Sequence, residues 1–304
     1  MSPDNDLFDR RLLNRRRSRI AQTIRDHDFL LRRAADDIVA RLEAVLRDFP
    51  VALNIGAHHG PLGRALQQLA SIGRVINTDS SPALLTQNDP PRLVCDEEQL
   101  PFADQCADLI VSGLALHLVN DLPGALIQMR RALKPDGLFV AALLGGDTLL
   151  ELRQVFMEAE AELEGGASPR VAPFADVRDC GSLLQRAGFA MPVSDADPLQ
   201  VSYASPIDLM HEIRAMGGGN VLHARARKPL RRATLERAIE IYRERFSSDD
   251  GRVTASFEII YLTGWGPDPS QPKPLRPGSA KTRLADALGV EERSAGERAG
   301  PPKK

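Results

Sequence analysis

The sequence predicts an α/β protein: a doubly wound sheet of seven strands with helices on both faces. Two observations predict it. Between residues 51 and 144, short apolar runs alternate with stretches whose apolar residues recur every three or four positions. The first of these runs also opens directly into a glycine-bearing loop, Gly56 to Gly60. Strands alternating with helices pair in parallel through right-handed crossovers.

The elements follow in order. The first forty residues read as helix, with a basic start (Arg10, Arg11, Arg15, Arg16, Arg17, Arg19) giving way to Phe29, Leu30, Leu31, Ile38, Val39, Leu42, Val45 and Leu46. Pro50 is expected to stop that helix. Residues 51–55 form the first strand, and Leu62, Ala65, Leu66 and Leu69 mark the helix after the loop. Residues 74–78 are the second strand, with Asp79 at its end and Ser81 and Pro82 opening a short helix, since proline suits a first turn. Leu93 and Val94 make a third strand before Asp96, Glu97 and Glu98, and 108–112 a fourth. A helix at 121–133 and a turn at 134–137 lead into the fifth strand at 138–144.

Beyond Gly146 a long helix runs over 147–163, with Asp147 as N-cap and Gly165 and Gly166 as its end. A helix at 182–187 hands over to a strand near 193–203. Helices near 207–216 and 230–246 flank Gly217, Gly218 and Gly219, and 253–265 is the last strand. The implied organisation is a helical extension at 1–48, a domain at 49–265 with a helical insertion at about 205–248, and a tail at 266–304. Proline, glycine and charge dominate that tail, so it is expected to be mostly disordered. No internal repeat is visible.

Composition narrows the function. Of 304 residues 43% are apolar, and 39 basic against 41 acidic side chains leave a formal charge of −2. Such a chain has no global field for nucleic-acid phosphates or an anionic membrane. No stretch approaches the roughly 20 apolar residues of a membrane span. Cys95, Cys106 and Cys180 are odd in number and form no Cys-x-x-Cys pair, which fits reduced thiols in a cytoplasm. The arginine-rich start carries Asp4, Asp6 and Asp9 and lacks an apolar segment, so it reads as mature sequence rather than as a leader.

A glycine loop between a first strand and its helix lets backbone approach a ligand. No Gly-Lys-Ser/Thr follows it, and His58 stands where a dinucleotide fingerprint has its second glycine. Asp79 after the second strand is placed to accept from a ribose diol, and Asp96 after the third from an adenine amino group. An adenosyl ligand across the carboxyl ends of the strands meets both; ordinary loop and capping roles are the alternative.

These residues resemble successive motifs of class I S-adenosylmethionine-dependent methyltransferases: Leu53-Asn-Ile-Gly-Ala-His-His-Gly60, Asp79, Asp96-Glu-Glu-Gln-Leu-Pro-Phe102, the Asp108 strand, Leu133-Lys-Pro-Asp-Gly137 and Ala187-Gly-Phe189. More particular segments are similar to the respiratory complex I assembly factor family: Leu114-Ala-Leu-His-Leu-Val-Asn-Asp-Leu-Pro123, Gly145-Gly-Asp-Thr-Leu149 with Glu151-Leu-Arg153, Glu164-Gly-Gly-Ala-Ser-Pro169 with Pro173-Phe174, Met216-Gly217 with Asn220, Tyr261-Leu-Thr-Gly-Trp265 and Gly278-Ser-Ala280. The resemblance implies a Rossmann-like methyltransferase sheet, S-adenosylmethionine as cofactor, and a protein substrate in the peripheral arm of complex I. Its mitochondrial members are assigned as arginine hydroxylases, so it also implies arginine hydroxylation.

The candidate cofactor-binding residues are Asn54, Gly56, Ala57, His58, Gly60, Asp79, Ser80, Asp96 and Glu97. Asn54 replaces the family's usual acid, while Ala57 and His58 replace small residues, so binding is expected to be weakened but retained. His117 and Asp147, each after a strand end, are the candidate catalytic groups; a packed histidine and an N-cap are the alternatives. No metal is expected: His58 and His59 lack a third ligand, and His211-Glu212 lacks a zincin's second histidine. No His-x-Asp element or flavin loop appears, so the residues by themselves reach methyl transfer rather than hydroxylation. A carrier-protein carboxyl methyltransferase and a non-catalytic assembly chaperone remain as alternatives. The runs Arg15–Arg19 and Arg225, Arg227, Lys228, Arg231, Arg232 are solvated faces or a surface for an acidic partner.

Overall fold

The computed structural model describes residues 6–272, together with 279, 282, 286 and 288–290. Strands β1 (Phe49–Ile55), β2 (Ile72–Asp79), β3 (Arg92–Val94), β4 (Ala107–Gly113), β5 (Leu133–Leu144), β6 (Ala190–Tyr203) and β7 (Val253–Trp265) form one sheet in the order β3-β2-β1-β4-β5-β7-β6. The helices are α1 (Arg10–Ile20), α2 (Phe29–Glu43), α3 (Pro61–Leu66), α4 (Pro82–Leu85), α5 (Leu122–Ala132), α6 (Leu150–Glu164), α7 (Val177–Ala187), α8 (Pro206–Ala215) and α9 (Arg232–Phe246). All of them belong to the unit Met1–Asp268; Pro269–Lys304 is a second unit. Most of the tail expected to be disordered, Gly278 and Ala280 included, lies outside the described residues.

Both faces of the sheet are covered, and alternation along the strands shows how. Leu109, Val111, Leu138 and Val140 join the core with Ile38 of α2, Val155 of α6 and Tyr242 of α9. Their neighbours Ile110 and Phe139 join Leu126 of α5 and Leu184 of α7 on the other face. Period-two alternation between two buried faces makes the central strands β4 and β5 largely apolar, the pattern a doubly covered sheet requires, whereas the edge strands β3 and β6 are partly or fully exposed.

The parallel expectation holds for β1 to β5, whereas β7 runs antiparallel to both β5 and β6. The β6–β7 register closes at Tyr203 opposite Val253, so α8 and α9 hang from the end of a long antiparallel pair, at the carboxyl edge of β5.

Several local expectations are corrected. The opening helix is two helices, separated by a 3-10 turn at Ile24–Asp26 that lets Ala21 and Ile24 pack on Leu84 of α4. Pro50 does not end it; α2 stops at Glu43, and Pro50 is the exposed second residue of β1, where a missing N–H is tolerated. Residues 134–137 are a bulge within β5, with Asp136 at φ +57° and a register shift between Ala107 and Leu109. Asp147 is not an N-cap. Helix α6 starts at Leu150 because the preceding turn is stitched to β7: Leu149 N donates to Ser256 O at 2.7 Å and Asp147 N to Glu258 Oε2 at 3.2 Å.

Helix α2 is tied to the sheet by a polar contact as well as by packing. Tyr261 of β7 is 2% exposed, and its hydroxyl donates to Asp37 Oδ2 at 2.5 Å, beneath Arg41 at 4.4 Å from the ring centre. Asp37 is half-buried and has water as an alternative partner. Tyr261→Phe is therefore expected to cost about 1–2 kcal/mol, read from the urea midpoint at unchanged slope; no shift would mean that the bond contributes nothing net.

Candidate functional site

The loop after β1 takes its shape from positive φ angles at Gly56 (+68°), His58 (+51°) and Gly60 (+94°). A Cβ at Gly56 would overlap that of Ala115, so a glycine is needed where the loop packs on the segment after β4. His58 holds its unfavourable backbone by three contacts: its N–H donates to Asp79 Oδ2 at 2.9 Å, and its ring Nε2 lies 3.1 Å from Gly113 O and 3.2 Å from Leu114 O. Carbonyls only accept, so Nε2 carries the proton. Burial, helped by Arg17 and His59, holds this imidazole well below its usual pKa, and it is neutral. The side chain that replaces a glycine thus fills the gap between the loop and β4.

Asn54 is fully buried and donates from Nδ2 to Asn77 Oδ1 at 2.9 Å, while its Oδ1 has no partner. Ala57 N donates to Thr78 O at 2.7 Å, and Gly60 N to Ala57 O at 2.9 Å.

Three carboxylates gather at the ends of β2 and β3. Asp79, 0% exposed, accepts from the N–H groups of His58 and Ser81 at 2.9 and 2.7 Å. Burial pushes its carboxyl up to about 6, against the lowering effect of Arg17. Glu97, 1% exposed, is held by Arg10 and by Arg17 at 3.4 Å; Asp96 takes Arg10 at 2.8 Å. Ser80 Oγ donates to Asn14 Oδ1 at 2.9 Å. Helix α1 therefore contacts Asp79, Ser80, Asp96 and Glu97, an arrangement the sequence reading did not anticipate. The available signal was spacing: Arg10, Leu13 and Arg17 stand three and four residues apart, on one helix face.

Beside this cluster lies a cavity of about 320 Å³, bounded by α1, α2, α6, α8 and the loop Gly217–Asn220. Its walls are mostly apolar and carry Arg17, Arg170 and Arg214 but no Asp or Glu. Arg170 is turned toward Glu160, its Nε at 2.7 Å from the carboxylate. The two basic runs meet here: Arg16, which donates to Asn220 O at 2.8 Å, has its pKa lowered by burial and then by Arg225, Arg214 and Arg19.

His117 lines the cavity, edge-on to Phe174 at 5.7 Å between ring centres, and its buried Nδ1 has no partner. Burial, then Arg17, lowers its pKa to about 3, so it is a neutral imidazole with an unmet hydrogen-bonding group rather than a strong base. Asp147 is exposed and absent from the cavity wall. His59 Nε2 lies 2.9 Å from Asp28, and His27 Nδ1 lies 2.6 Å from Glu212. Among the described residues no three His, Cys, Asp or Glu side chains are grouped to hold one.

Comparison with known proteins assigns the frame. Residues 53–141 match the family model described as a methyltransferase domain. The mitochondrial arginine-hydroxylase NDUFAF5 of Danio rerio is 39% identical, over 92% of this chain and 89% of the relative. The chain belongs to the NDUFAF5 family. Members share this frame with malonyl-[acyl-carrier protein] O-methyltransferases, one of which, from Halorhodospira halophila, is 34% identical over 88% of the chain and 91% of its own length. The solved structure of YcgJ from Bacillus subtilis has the same fold, with a TM-score of 0.54 at 15% identity over 78% of this chain and 99% of that one. This NDUFAF5 relative is thus a methyltransferase-like enzyme on a Rossmann-like sheet, as its motifs implied. Among the described residues no helix is long and apolar enough to cross a membrane.

Proposed function

We propose that this chain is a cytoplasmic, S-adenosylmethionine-binding enzyme that modifies a protein substrate during assembly of respiratory complex I, and that the modification is hydroxylation of an arginine in a peripheral-arm subunit. The observation that carries this reading is the 39% identity to an arginine hydroxylase along nearly the whole chain. Three cysteines, all free thiols, agree with a reducing compartment.

The residues at the strand ends fit the cofactor by chemistry. A ribose diol and an adenine amino group are hydrogen-bond donors, and Asp79, Glu97 and Asp96 are acceptors set side by side. The cofactor supplies a sulfonium-activated methyl group. The protein's part is to orient the adenosyl moiety along these acids, to keep the adjoining cavity dry through Leu114, Leu149 and Phe257, and to offer His117 Nδ1 to a substrate polar group. Calorimetry with millimolar S-adenosylmethionine is expected to show binding heat; none would count against the cofactor. Hydroxylation is a two-electron oxidation in which a C–H bond gives way to C–OH; dioxygen, two electrons and two protons would have to come through a separate oxygen-activating redox donor, since a sulfonium supplies only a methyl group.

A second reading, methyl transfer to a carboxyl group, is favoured by one observation. The cavity wall carries three arginines and no carboxylate; Arg17 and Arg170 are paired with Glu97 and Glu160 behind it, which leaves Arg214 as the cation offered to a substrate carboxylate. Peptide mass spectrometry on complex I subunits, from cells with and without the protein, separates the two. One added oxygen is the expected result. One added methylene establishes methyl transfer, and no change leaves a chaperone.

A further inference from the structure

We infer that α1 is a latch on the adenosyl end of the site: Arg10 and Arg17 hold the carboxylates that the cofactor needs, and S-adenosylmethionine binds only as the helix lifts from them. The inference rests on the cofactor reading above.

The contacts of α1 at this edge form one continuous seam. Arg10 reaches Asp96 at 2.8 Å, Glu97, and Leu118 O at 3.1 Å; Arg17 reaches Glu97 at 3.4 Å and Asp79 at 4.0 Å. Asn14 takes the hydroxyl of Ser80, and Ser18 Oγ lies 3.3 Å from Ser81 Oγ. Guanidinium groups and the donors of a nucleoside ask for the same lone pairs, so the two occupancies compete. Burial sharpens the competition. Asp79 keeps the N–H donors of His58 and Ser81, but Glu97, 1% exposed, is held by Arg10 and Arg17 of α1, and a carboxylate so enclosed cannot be left without a donor. The seam stays shut until a ligand supplies one.

Two features suit the seam to opening. Arg10 Nε is buried without a partner, so its guanidinium is incompletely satisfied where it stands. The 3-10 turn at Ile24–Asp26 separates α1 from α2, so α1 has a joint at its own end while α2 stays on the sheet. A ligand that pays the opening binds more weakly than its contacts alone would give, in proportion to the open fraction.

The test locks the latch. Ser18→Cys/Ser81→Cys in the full chain places two thiols at the seam, neither at a candidate cofactor residue. Diamide oxidises them to a disulfide and is itself reduced to the hydrazine; intact mass, lower by two hydrogens, and peptide mapping identify the bond. Calorimetry with S-adenosylmethionine on the oxidised and reduced forms then reads the effect. The expected result is at least tenfold weaker binding when oxidised, restored by dithiothreitol. Equal binding by both forms overturns the latch and leaves the cofactor reading intact. No binding by either form, with none by the unmodified protein, overturns the cofactor reading and the latch with it. Arg10→Gln, which keeps Arg17 in the cluster, is a second arm: several-fold tighter binding supports the competition, and unchanged affinity counts against it.

Discussion

Arg17→Met is expected to lower the unfolding free energy by about 3–5 kcal/mol, measured as a fall in the urea midpoint at unchanged slope. The substitution takes a 4%-exposed guanidinium from between Glu97 and Asp79 and leaves two enclosed carboxylates. Arg10 still serves Glu97, which places the loss toward the lower end. Its pH dependence follows from Asp79, whose pKa of about 6 lies above the ordinary 3.8. The folded state keeps that proton longer than the unfolded one, so stability from Asp79 is complete below about 4 and is lost as pH rises through 6. Without Arg17 the folded pKa climbs further, and the deficit widens from pH 6 upward. Arg17→Met/Glu97→Gln is expected to recover at least half the loss; simple additivity of the two single variants would show that the charges are not coupled.

The second large effect appears in acid. His117 has a pKa of about 3 where a free imidazole has 6.5, so it contributes stability above 6.5 that is lost as pH falls toward 3. Allowing for the edge of the ring that faces the cavity, the loss at pH 4 is about 2–4 kcal/mol. His58, also held neutral, adds in the same direction, while Asp79 opposes both. His117→Leu removes one of these protonations, so its stability profile is expected to be flatter than the parent's between pH 7 and 4.5. Thermal melts at the two pH values decide it. Parallel profiles would mean that the ring takes up its proton at no cost to the fold.

The sheet was legible because its strands obey a strict rule. A run buried on both faces is largely apolar, as in β1, β4 and β5, and the glycine loop falls where the first of them ends; Asp79 closes β2 and Asp96 follows β3, the more exposed strands. The reversed direction of β7 was not legible, because strand pattern carries no sign and the 49 residues at 204–252 conceal that β6 and β7 form a pair. Helix α6 begins late for a reason outside its own sequence: Asp147 has the side chain of a cap, yet bonds from Ser256 and Glu258 of β7 hold the turn. The site divides the same way. Acids at strand ends follow from topology, whereas Arg10 and Arg17 reach Asp96 and Glu97 from a helix 80 or more residues upstream, and a basic run is no guide to which cations turn inward.

The meeting of Tyr203 with Val253 gives segment 204–252 a particular freedom. Its two ends are already joined by strand pairing, so for the sheet it is a closed excursion, tied to the core where Leu209, Ala238, Ile241 and Tyr242 pack. The same segment supplies Met210, Ile213 and the glycine loop that roof the cavity. Selection can therefore exchange this cassette and recut the shape of the chamber while the cofactor edge, built from β1 to β4, stays as it is. The same scaffold can in this way present chambers of different shape, provided the buried face of α9 at Ala238, Ile241 and Tyr242 is kept.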